Sequence, residues 1–525
     1  MDKKPYDPSD IEQTLYQEWE SSGLFEPGND GDPYSLAIPP PNVTGTLHMG
    51  HGFQNAIMDC LIRYHRMSGK NTLWQVGTDH AGIATEMVVE RRLNAEGKSK
   101  ESIGREAFEA EVWDWKKYSG NKITSQLRRL GSSLDWSSER FTLDDDYQHA
   151  VQSAFIQLFE EGLIYQGKRL VNWDPVLETS LSDLEVINKD VTIKIWEIKY
   201  LLDGSDEFVT VATTRPETLL GDMALAVNPN DERFANLVGK NAVVPLCNRL
   251  IPIVADDYVD PEFGTGVVKI TPGHDFNDYD LGKRHGLNID KDLQCHTGDE
   301  KAFSPISILN KAVQIEGVAP KKYHGMDRFD ARKELLKDLD QEKFLMSEDE
   351  YESTLPYGDR SDQILEPLLT DQWYVDAKTL AKPAIEAVKS KEIQFVPANW
   401  EKTYFQWMNN IQDWCISRQL WWGHRIPIWY DESNQPYAGL SENDVRKKHN
   451  LTGELRQEED VLDTWFSSSL WPFTTLGWPE KTDELIQEKQ GAGCALYELS
   501  AALFKTLCYR STSDVLGVAQ RKEHS

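Results

Sequence analysis

The N-terminal part of the sequence contains an order of elements that restricts the fold to an open parallel sheet. Two short apolar runs, residues 34–38 (YSLAI) and 71–76 (NTLWQV), are each typical of a strand. Between them lie the loop PPPNVTG and a segment, 48 to about 67, with the length and periodicity of a helix. A strand, a helix and a strand in this order form a right-handed crossover, and such sheets bind ligands beyond the carboxyl ends of their strands. We therefore predict an α/β fold whose ligand site involves the loops 39–51 and 77–86.

The next segment, from about 85 to 165, is predicted to be mainly helical and to pack on this sheet as a bundle. Apolar residues recur in it, with acidic or polar residues between them. The positions expected to face the core are Trp113, Trp115, Leu127, Leu130, Phe155 and Leu158.

From about 190 to 345 the sequence changes to short β-branched runs separated by Gly, Pro, Asp and Asn, including VTIKIWEIKY, EFVTVATT and GVVKIT. This change is typical of an inserted β-rich domain, and we predict a small barrel. Mixed helices and strands resume after it. A chain of 525 residues is too long for one core, because single cores stop growing at about 250 to 300 residues. We therefore expect two or three domains.

Composition excludes several classes of protein. No apolar run reaches membrane-spanning length, and the N-terminus MDKKPYDPSDIEQ lacks the apolar stretch of a secretory signal, so we expect a cytoplasmic protein with no membrane partner. The six cysteines form no C-x-x-C pair, which disfavours a metal site and a disulfide framework. A formal net charge of −30 argues against non-specific binding of nucleic acid, so any RNA contact must depend on local basic patches and on shape.

Two histidines at the predicted helix start suggest a nucleotide site. In PPPNVTGTLHMGH, His48 and His51 are three residues apart on the first turn, with Gly50 between them. A helix N-terminus offers free N–H donors and the positive end of its dipole, which suits a triphosphate, and the small Gly50 lets a ligand approach the backbone. On spacing alone, an H-x-x-H pair is more often two exposed helix histidines.

The surrounding residues resemble the HIGH signature of the class I aminoacyl-tRNA synthetases, in the form found in the valine-specific members. Further segments resemble that family in its order: GTDHAGIATE (77–86), VNWDPVLETSLSDLEV (171–186), TTRPETLLGDMALAVNP (213–229), TPGHDFNDYDLGKRHGL (271–287), ISRQLWWGHRIPIWY (416–430) and DVLDTWFSSSLWPFTTLGWPE (460–480). Together they cover about residues 5 to 485. The resemblance implies a Rossmann-like catalytic domain, with a parallel sheet and the HIGH motif, that is interrupted by a β-barrel editing insert.

The resemblance also implies an enzyme of protein biosynthesis, a ligase that attaches valine to its tRNA through valyl-adenylate. His48 and His51 would be catalytic, stabilising charge on the ATP phosphates as valine attacks, and Gly50 would complete the ATP-binding residues. ATP would enter with Mg²⁺ as a substrate complex, and no tightly bound cofactor is expected. The implied partners are valine, ATP and the tRNA for valine, and the chain is expected to be a monomer.

A pocket for valine is implied around the carboxyl end of the second strand. Asp79 would pair with the ammonium group of valine, and Trp465 would form an apolar wall for its branched side chain. Pro41, Asn42 and Gly77 would line the same pocket. Without the resemblance, Asp79 reads as a loop cap and Trp465 as part of the core.

The predicted insert contains the materials of a second, hydrolytic site. An apolar pocket discriminates only weakly against an isostere that carries an added hydroxyl, and threonine in the valine enzymes is the usual example. Hydrolysis of threonyl-tRNA at a second site is therefore needed. On a strand, Lys269 and Thr271 would point to one face. By resemblance, Asp278 would hold the amino group of threonine. The other implied editing residues recognise its hydroxyl, hold the RNA end or position water: Thr214, Arg215, Thr218, Lys269, Thr271 and Asp275. The alternative is a purely structural role, in which these residues form a polar strand face and aspartates in turns.

The expected domains are 1–188, the first half of the catalytic domain with the helical segment; 189–345, the editing domain; 346–487, an incomplete second half; and 488–525, a tail that does not resemble the family. A Lys-Met-Ser-Lys-Ser loop is absent from the sequence. Because that loop supplies lysines to the pyrophosphate end of ATP, the expectation is a truncated chain that is defective in ligation and binds tRNA weakly.

Other interpretations stay open. The isoleucine and leucine enzymes share the implied fold, although GTDHAGIATE and PNVTGTLHMGH favour valine. The chain could act as a free-standing editing or tRNA-end-binding fragment, or it could be an inactive degenerate product whose incomplete sheet exposes apolar surface.

Overall fold

The computed structural model describes residues 7–28, 31–480 and 518–521. The chain divides into two compact units. Unit 1 is built from Met1–Tyr165 with Trp373–Ser525, and unit 2 is built from Gln166–Gln372. The second unit thus interrupts the first in sequence, and it contains the whole of the predicted insert, 189–345. The expected tail, 488–525, lies outside the described residues except for 518–521.

The first part of unit 1 contains a three-stranded parallel sheet. Its elements are α1 Pro8–Ser21, β1 Pro33–Ala37, α2 Met49–Met67, β2 Asn71–Thr78, α3 Gly82–Ala95, α4 Lys100–Ile103, α5 Arg105–Arg129, β3 Asp135–Phe141 and α6 Asp145–Glu160. The strand order is β1-β2-β3, and β2 runs parallel to both neighbours. The predicted crossover is therefore confirmed, with β2 two residues longer than expected.

The segment 85–165 is mainly helical, but the expectation missed β3. Its sequence, DWSSERF, has no β-branched residue and its central residues are polar, so local propensity gives little signal; pairing with β2 is what defines it as a strand. Leu127, Phe155 and Leu158 are buried as expected. The prediction that Trp113 and Leu130 face the core is wrong, since they are 38% and 54% exposed. Leu130 lies just past the end of α5, and the ring of Trp113 meets that of Trp422 edge to face.

Unit 2 is built around a curled mixed sheet. Its elements, with the two strands through which the chain enters and leaves, are β4 Ile164–Asp174, β5 Thr179–Leu181, β6 Val186–Leu202, β7 Phe208–Thr213, β8 Ala224–Val227, β9 Asn241–Val244, β10 Arg249–Ala255, β11 Val267–Ile270, α7 Phe276–Arg284, β12 Asn288–Ile289, β13 Cys295–His296, α8 Arg328–Gln341, β14 Leu345–Gly358 and β15 Glu366–Val375. The order is β11-β8-β10-β9-β6-β14, with β7 also paired to β6. Strands β8 and β10 are parallel, and the other pairs of this sheet are antiparallel.

The centre of this sheet is almost completely desolvated. All four residues of β8 are buried, and so are three of the four in β11, including Lys269. A buried ammonium group is costly unless it is paired and hydrogen-bonded. The surroundings of Lys269 are therefore the natural place to look for a functional cluster in unit 2.

The remaining part of unit 1 consists of short elements, which are α9 Ala377–Lys389, β16 Ile393–Val396, α10 Trp400–Asn409, β17 Trp414–Cys415, β18 Ser417–Arg418, β19 Ile428–Tyr430, β20 Pro436–Ala438, α11 Glu442–His449, β21 Arg456–Gln457, β22 Val461–Leu462, α12 Thr464–Ser469, α13 Trp471–Thr474 and β23 Val518–Arg521. Phe466 and Leu470 belong to the same buried cluster as Trp74 and Val76 of β2. Helix α12 and the sheet therefore share one hydrophobic core. In the described ranges, no helix is long and apolar enough to span a membrane.

Candidate functional site

The start of α2 brings the two predicted histidines together. The imidazole rings of His48 and His51 have centroids 4.0 Å apart. The Nδ1 of His48 accepts a hydrogen bond from the N–H of Gly50 at 3.1 Å, and the Nδ1 of His51 accepts one from the N–H of His48 at 3.2 Å. Because each Nδ1 is an acceptor, each neutral ring must carry its proton on Nε2. The helix start therefore offers two Nε2–H donors beside its own N-terminus, which suits an anion.

Electrostatics and packing support this arrangement of the two rings. Burial, and then the neighbouring His48, lower the pKa of His51, which favours its neutral form. A Cβ on Gly50 would lie 2.8 Å from Cε1 of His48, so a glycine is what lets the ring fold back over the helix start.

Helix α5 anchors the loop that leads to these histidines. The indole Nε1 of Trp115 donates to the carbonyl of Val43 at 2.8 Å, and the Oε1 of Gln126 accepts from the N–H of Leu47 at 2.9 Å. The loop is thus held at both ends by side chains of one helix.

Asp79 follows β2, and the parallel ladder continues past the strand ends to bring Pro41 and Asn42 beside it. The N–H of Asp79 donates to the carbonyl of Pro41 at 2.9 Å, and the N–H of Val43 donates to the carbonyl of Asp79 at 3.0 Å. Adjacent parallel strands end at the same edge of a sheet. The loop that carries the histidines and the loop that carries Asp79 therefore leave from that one edge.

The carboxylate of Asp79 is almost completely buried and is held by two neutral donors. Its Oδ1 accepts from the N–H of Ala81 at 2.7 Å, and its Oδ2 accepts from the hydroxyl of Ser468. Burial raises the pKa of Asp79 to about 6, while these two hydrogen bonds oppose the rise. At neutral pH the group is largely ionised and can attract a cation.

Helix α12 is attached to the Asp79 loop at two points. Besides the contact of Ser468, the Oγ1 of Thr464 accepts from the N–H of Gly82 at 2.9 Å. Trp465, the predicted pocket wall, lies between these two residues in the sequence and is half-buried.

Gly77 occupies a position where no side chain fits. A Cβ there would lie 2.1 Å from the carbonyl oxygen of Arg140 and 2.3 Å from Cη2 of Trp471. Its contribution is close packing of β2 against β3 and α13.

In unit 2, the ammonium group of Lys269 is surrounded by oxygen acceptors. Its Nζ lies 2.8 Å from Oγ1 of Thr218, 2.5 Å from Oγ1 of Thr271 and 3.1 Å from Oδ1 of Asp222. The hydroxyl of Thr271 also donates to Oδ1 of Asp222, at 2.6 Å. Lys269 and Thr271 therefore share one face, as their spacing predicts.

The start of α7 brings the two predicted aspartates to this cluster. Asp275 is the N-cap, and its Oδ1 accepts from the N–H of Asp278 at 3.1 Å. The Oδ2 of Asp278 accepts from the N–H of Thr271 at 2.8 Å. Burial, followed by the charge of Asp275, raises the pKa of Asp278 to about 7, against the lowering effect of Lys269.

Arg215 lies beside this turn, and Thr214 is half-buried next to it, after the end of β7. One guanidinium nitrogen of Arg215, Nη1, donates to the carbonyl of His274 at 2.7 Å, and Nη2 forms an ion pair with Glu366. His274 immediately precedes Asp275, so Arg215 lies next to the aspartate turn. The hydroxyl of Thr218 donates to the carbonyl of Arg215 at 2.9 Å. The seven predicted editing residues thus lie in one region of unit 2.

Comparison with known proteins gives the family. A model of the tRNA synthetases class I (I, L, M and V) matches residues 14–495 of the chain. The chain belongs to the class I tRNA synthetases.

Individual members of this class are similar over most of the chain. The valine–tRNA ligase of Legionella pneumophila (strain Lens) is 58% identical over 92% of this chain and 51% of its own length. The enzyme of the same name from Francisella tularensis subsp. tularensis (strain SCHU S4 / Schu 4) is 56% identical over the same shares. A solved ternary complex of Agrobacterium radiobacter K84, LeuRS-tRNA-LeuAMS, is 17% identical with a TM-score of 0.45, over 97% of this chain and 65% of that one. The chain spans about half the length of the curated relatives it matches.

The class I fold predicted from the motifs is confirmed, with its parallel sheet in unit 1 and a curled mixed sheet in the inserted unit.

In unit 1, sequence reasoning missed the residues that fix the loop carrying Asp79. Ser468 is one of these residues. His80 is another, and it is fully buried. Its N–H donates to the Oγ1 of Thr142 at 2.9 Å, and its Nδ1 lies 2.7 Å from the same oxygen. The indole Nε1 of Trp422 donates to the carbonyl of His80 at 2.9 Å. These contacts join distant segments, and only the position of His80 next to Asp79 could have indicated one of them.

In the inserted unit of this synthetase, Asp222 and Glu366 were missed. Asp222 is fully buried, and its Oδ2 accepts from the hydroxyl of Tyr200 at 2.6 Å. An aspartate between the apolar runs LLG and MALAV is a usable signal, because a charge in a buried stretch must be paired. Glu366 gave no such signal, since it lies outside the segment predicted to be the insert.

Proposed function

We propose that this chain carries two functions of a valine–tRNA ligase, a valine- and ATP-binding site in unit 1 and an editing site in unit 2 that hydrolyses threonyl-tRNA. The identity of 56–58% to valine–tRNA ligases over 92% of the chain supports valine and its tRNA as the substrates. The observation that carries the editing site is the buried cluster of Thr218, Lys269, Thr271 and Asp278. The expected setting is translation in the cytoplasm.

In the valine site, the ionised carboxylate of Asp79 would pair with the ammonium group of valine. Trp465 and Pro41 would form the apolar surroundings of the branched side chain, with Asn42 at the rim. The carboxylate of valine would attack the α-phosphate of ATP, which enters as its Mg²⁺ complex, and pyrophosphate would leave. The Nε2–H groups of His48 and His51 would donate to phosphate oxygens and stabilise the charge that develops there.

This pocket alone would leave threonine as a competitor, because threonine differs from valine by a hydroxyl in place of a methyl group. A second site solves the problem if it needs that hydroxyl for binding. Thr218 and Asp275 carry the polar groups proposed to recognise it. Valine offers no hydrogen bond in return, so valyl-tRNA would be left intact.

In the editing reaction, Asp278 would hold the ammonium group of the threonyl ester and Arg215 would hold the RNA end. A water molecule positioned by Lys269 and Thr271 would attack the ester carbonyl. The bond from that carbonyl to the ribose oxygen would break, and the ribose oxygen would take a proton, leaving threonine and intact tRNA.

Editing without ligation is a second candidate function. All seven proposed editing residues lie in the compact unit Gln166–Gln372, which favours it. The 525 residues contain no Lys-Met-Ser-Lys-Ser sequence, so slow or absent ATP activation by this chain stays a prediction.

The experiment is to incubate the purified chain with threonyl-tRNA for valine, beside an assay of valine-dependent exchange of pyrophosphate into ATP. Hydrolysis with exchange would support both proposed sites. Hydrolysis without exchange would support editing alone. The absence of both hydrolysis and exchange would refute the proposal.

A further inference from the structure

Glu366 is a buried carboxylate that joins two arginines. It is the first residue of β15 and is 1% exposed. Its Oε1 forms an ion pair with Nη2 of Arg215, and its Oε2 accepts from Nη1 of Arg328 at 2.6 Å. Each carboxylate oxygen thus serves a different arginine.

The two arginines differ in what else they contact. Arg328 is buried, and its Nη2 donates to the carbonyl of Ile364 at 2.6 Å, so it secures the chain just before β15. Arg215 keeps 28% of its side chain exposed, and its Nη1 donates to the carbonyl of His274, next to Asp275. One arm of Glu366 therefore supports the fold, and the other reaches the editing region.

Glu366 remains charged in this environment. Burial alone would raise the pKa of Glu366, but the positive charge of Arg215, and then contacts with His274 and Arg328, hold it well below its usual range. A permanent carboxylate next to Arg215 fixes the direction of the planar guanidinium, which a neutral acceptor would fix less firmly.

A second carboxylate, Glu217, flanks the same guanidinium without holding it as closely. The Oε1 of Glu217 is 3.5 Å from Nε of Arg215, whereas its two oxygens take a bidentate pair of hydrogen bonds from Arg332, at 2.7 and 2.8 Å. Among the described residues, Glu366 is thus the carboxylate in closest contact with Arg215.

We propose that Glu366 is a positioning residue for editing, which holds Arg215 so that its partly exposed side chain meets the phosphate or ribose at the 3′ end of the mischarged tRNA. This inference rests on the proposed editing function. Glu366 itself does not touch the substrate. Its loss should therefore weaken tRNA binding and leave the hydrolytic step almost unchanged.

The test compares Glu366→Gln with Arg328→Gln in the full chain. Both variants break the same buried ion cluster, but Arg328→Gln leaves the arm to Arg215 in place. For Glu366→Gln, the KM for threonyl-tRNA should rise about tenfold with kcat within about twofold, because the negative charge that strengthens the hydrogen bond from Arg215 is lost. For Arg328→Gln, KM should stay within about twofold even if thermal unfolding shows a similar loss of stability. Glu366→Asp, which keeps the charge, should restore part of the affinity.

A double-mutant cycle with Arg215→Gln makes the test independent of stability. If Glu366 acts through Arg215, then Glu366→Gln should change KM no further when Arg215 is already replaced. Equal KM values for Glu366→Gln and Arg328→Gln, or additive effects in the cycle, would overturn the inference and leave the editing function standing. Absence of hydrolysis by the unmodified chain would overturn both.

Discussion

Asp79 in unit 1 and Asp278 in unit 2 have the same proposed task, to hold the ammonium group of an amino acid, in two different electrostatic environments. They are 4% and 8% exposed, and burial raises the pKa of both, to about 6 and about 7. The carboxylate of Asp79 contacts neutral donors, the hydroxyl of Ser468 and a backbone N–H. The carboxylate of Asp278 lies within the influence of a second carboxylate, Asp275, and of the ammonium group of Lys269.

The difference shows two ways of limiting the rise in pKa that burial causes in a carboxyl group. In unit 1 the contributions that lower the pKa of Asp79 come from hydrogen bonds. The hydroxyl of Ser468 should therefore matter more for the charge of Asp79 than any neighbouring ion does. In unit 2 the largest contribution that lowers the pKa of Asp278 comes from the cation Lys269, ahead of the hydrogen bond from the N–H of Thr271. This cation also compensates the buried Asp222, so its removal should damage both the charge balance and the fold.

The largest expected effect is on the stability of unit 2 in Lys269→Met. Removing one partner of a buried ion pair costs roughly 3–5 kcal/mol, because the remaining charge of Asp222 is left uncompensated. Amide hydrogen exchange of peptides covering β8 and β11 should report this loss directly. Lys333→Met is the control, since Lys333 pairs with Asp330 at the surface of α8, where both side chains are about 70% exposed, and should cost less than about 1 kcal/mol. Unchanged protection in Lys269→Met would show that the cluster does not depend on its cation.

The next effect is a reciprocal loss of function in Asp79→Asn and Asp278→Asn. Truncating a buried charge partner costs about 2–5 kcal/mol, so each variant should lose about a hundredfold in its own activity. Asp278→Asn should lose hydrolysis of threonyl-tRNA and retain valine binding, and Asp79→Asn should do the opposite. Calorimetry with valine and a deacylation assay measure the two activities. Loss of both in either variant would contradict the assignment of separate sites.

A smaller effect is expected at Ser468. Ser468→Ala removes the hydroxyl that donates to Asp79, and valine affinity should fall about tenfold, as for a hydrogen bond to a charged group. Ser467→Ala is the matched control, because its hydroxyl donates to the carbonyl of Thr464 at 2.8 Å. Equal affinity of both variants for valine would mean that the contact of Ser468 does not support the site.

The remaining effects, equal to or smaller than that of Ser468→Ala, concern pH. Protonation removes the charge that attracts the ammonium group, so each activity should fall as pH decreases through the pKa of its carboxyl. Between pH 8 and pH 6, editing should fall about tenfold on the acidic limb and valine affinity about twofold, given pKa values of about 7 and about 6. Identical acidic limbs for the two activities would remove the proposed contrast.

Local patterns carried much of the fold and of the candidate site. The crossover of β1, α2 and β2 could be read from two apolar runs and a helical period, and the shared face of Lys269 and Thr271 follows from the two-residue repeat of a strand. The His48 and His51 pair followed from its three-residue spacing at a helix start.

Contacts between distant segments could not be read in the same way. Strand β3 has little β propensity and forms because β2 offers it a ladder. Ser468 reaches Asp79 across 389 positions, and Glu366 reaches Arg215 across 151. Nothing in the local sequence around Ser468 or Glu366 indicates its partner, because packing, not propensity, selects these pairs.

The central claim, that the two buried aspartates serve different amino acids, is tested most directly by hydrolysis of threonyl-tRNA and valyl-tRNA by the unmodified chain under identical conditions. The account predicts that the threonyl ester is cleaved and that the valyl ester is cleaved at least about tenfold more slowly, because it offers no hydroxyl to Thr218 and Asp275. Equal cleavage of both esters, or cleavage of neither, would contradict it.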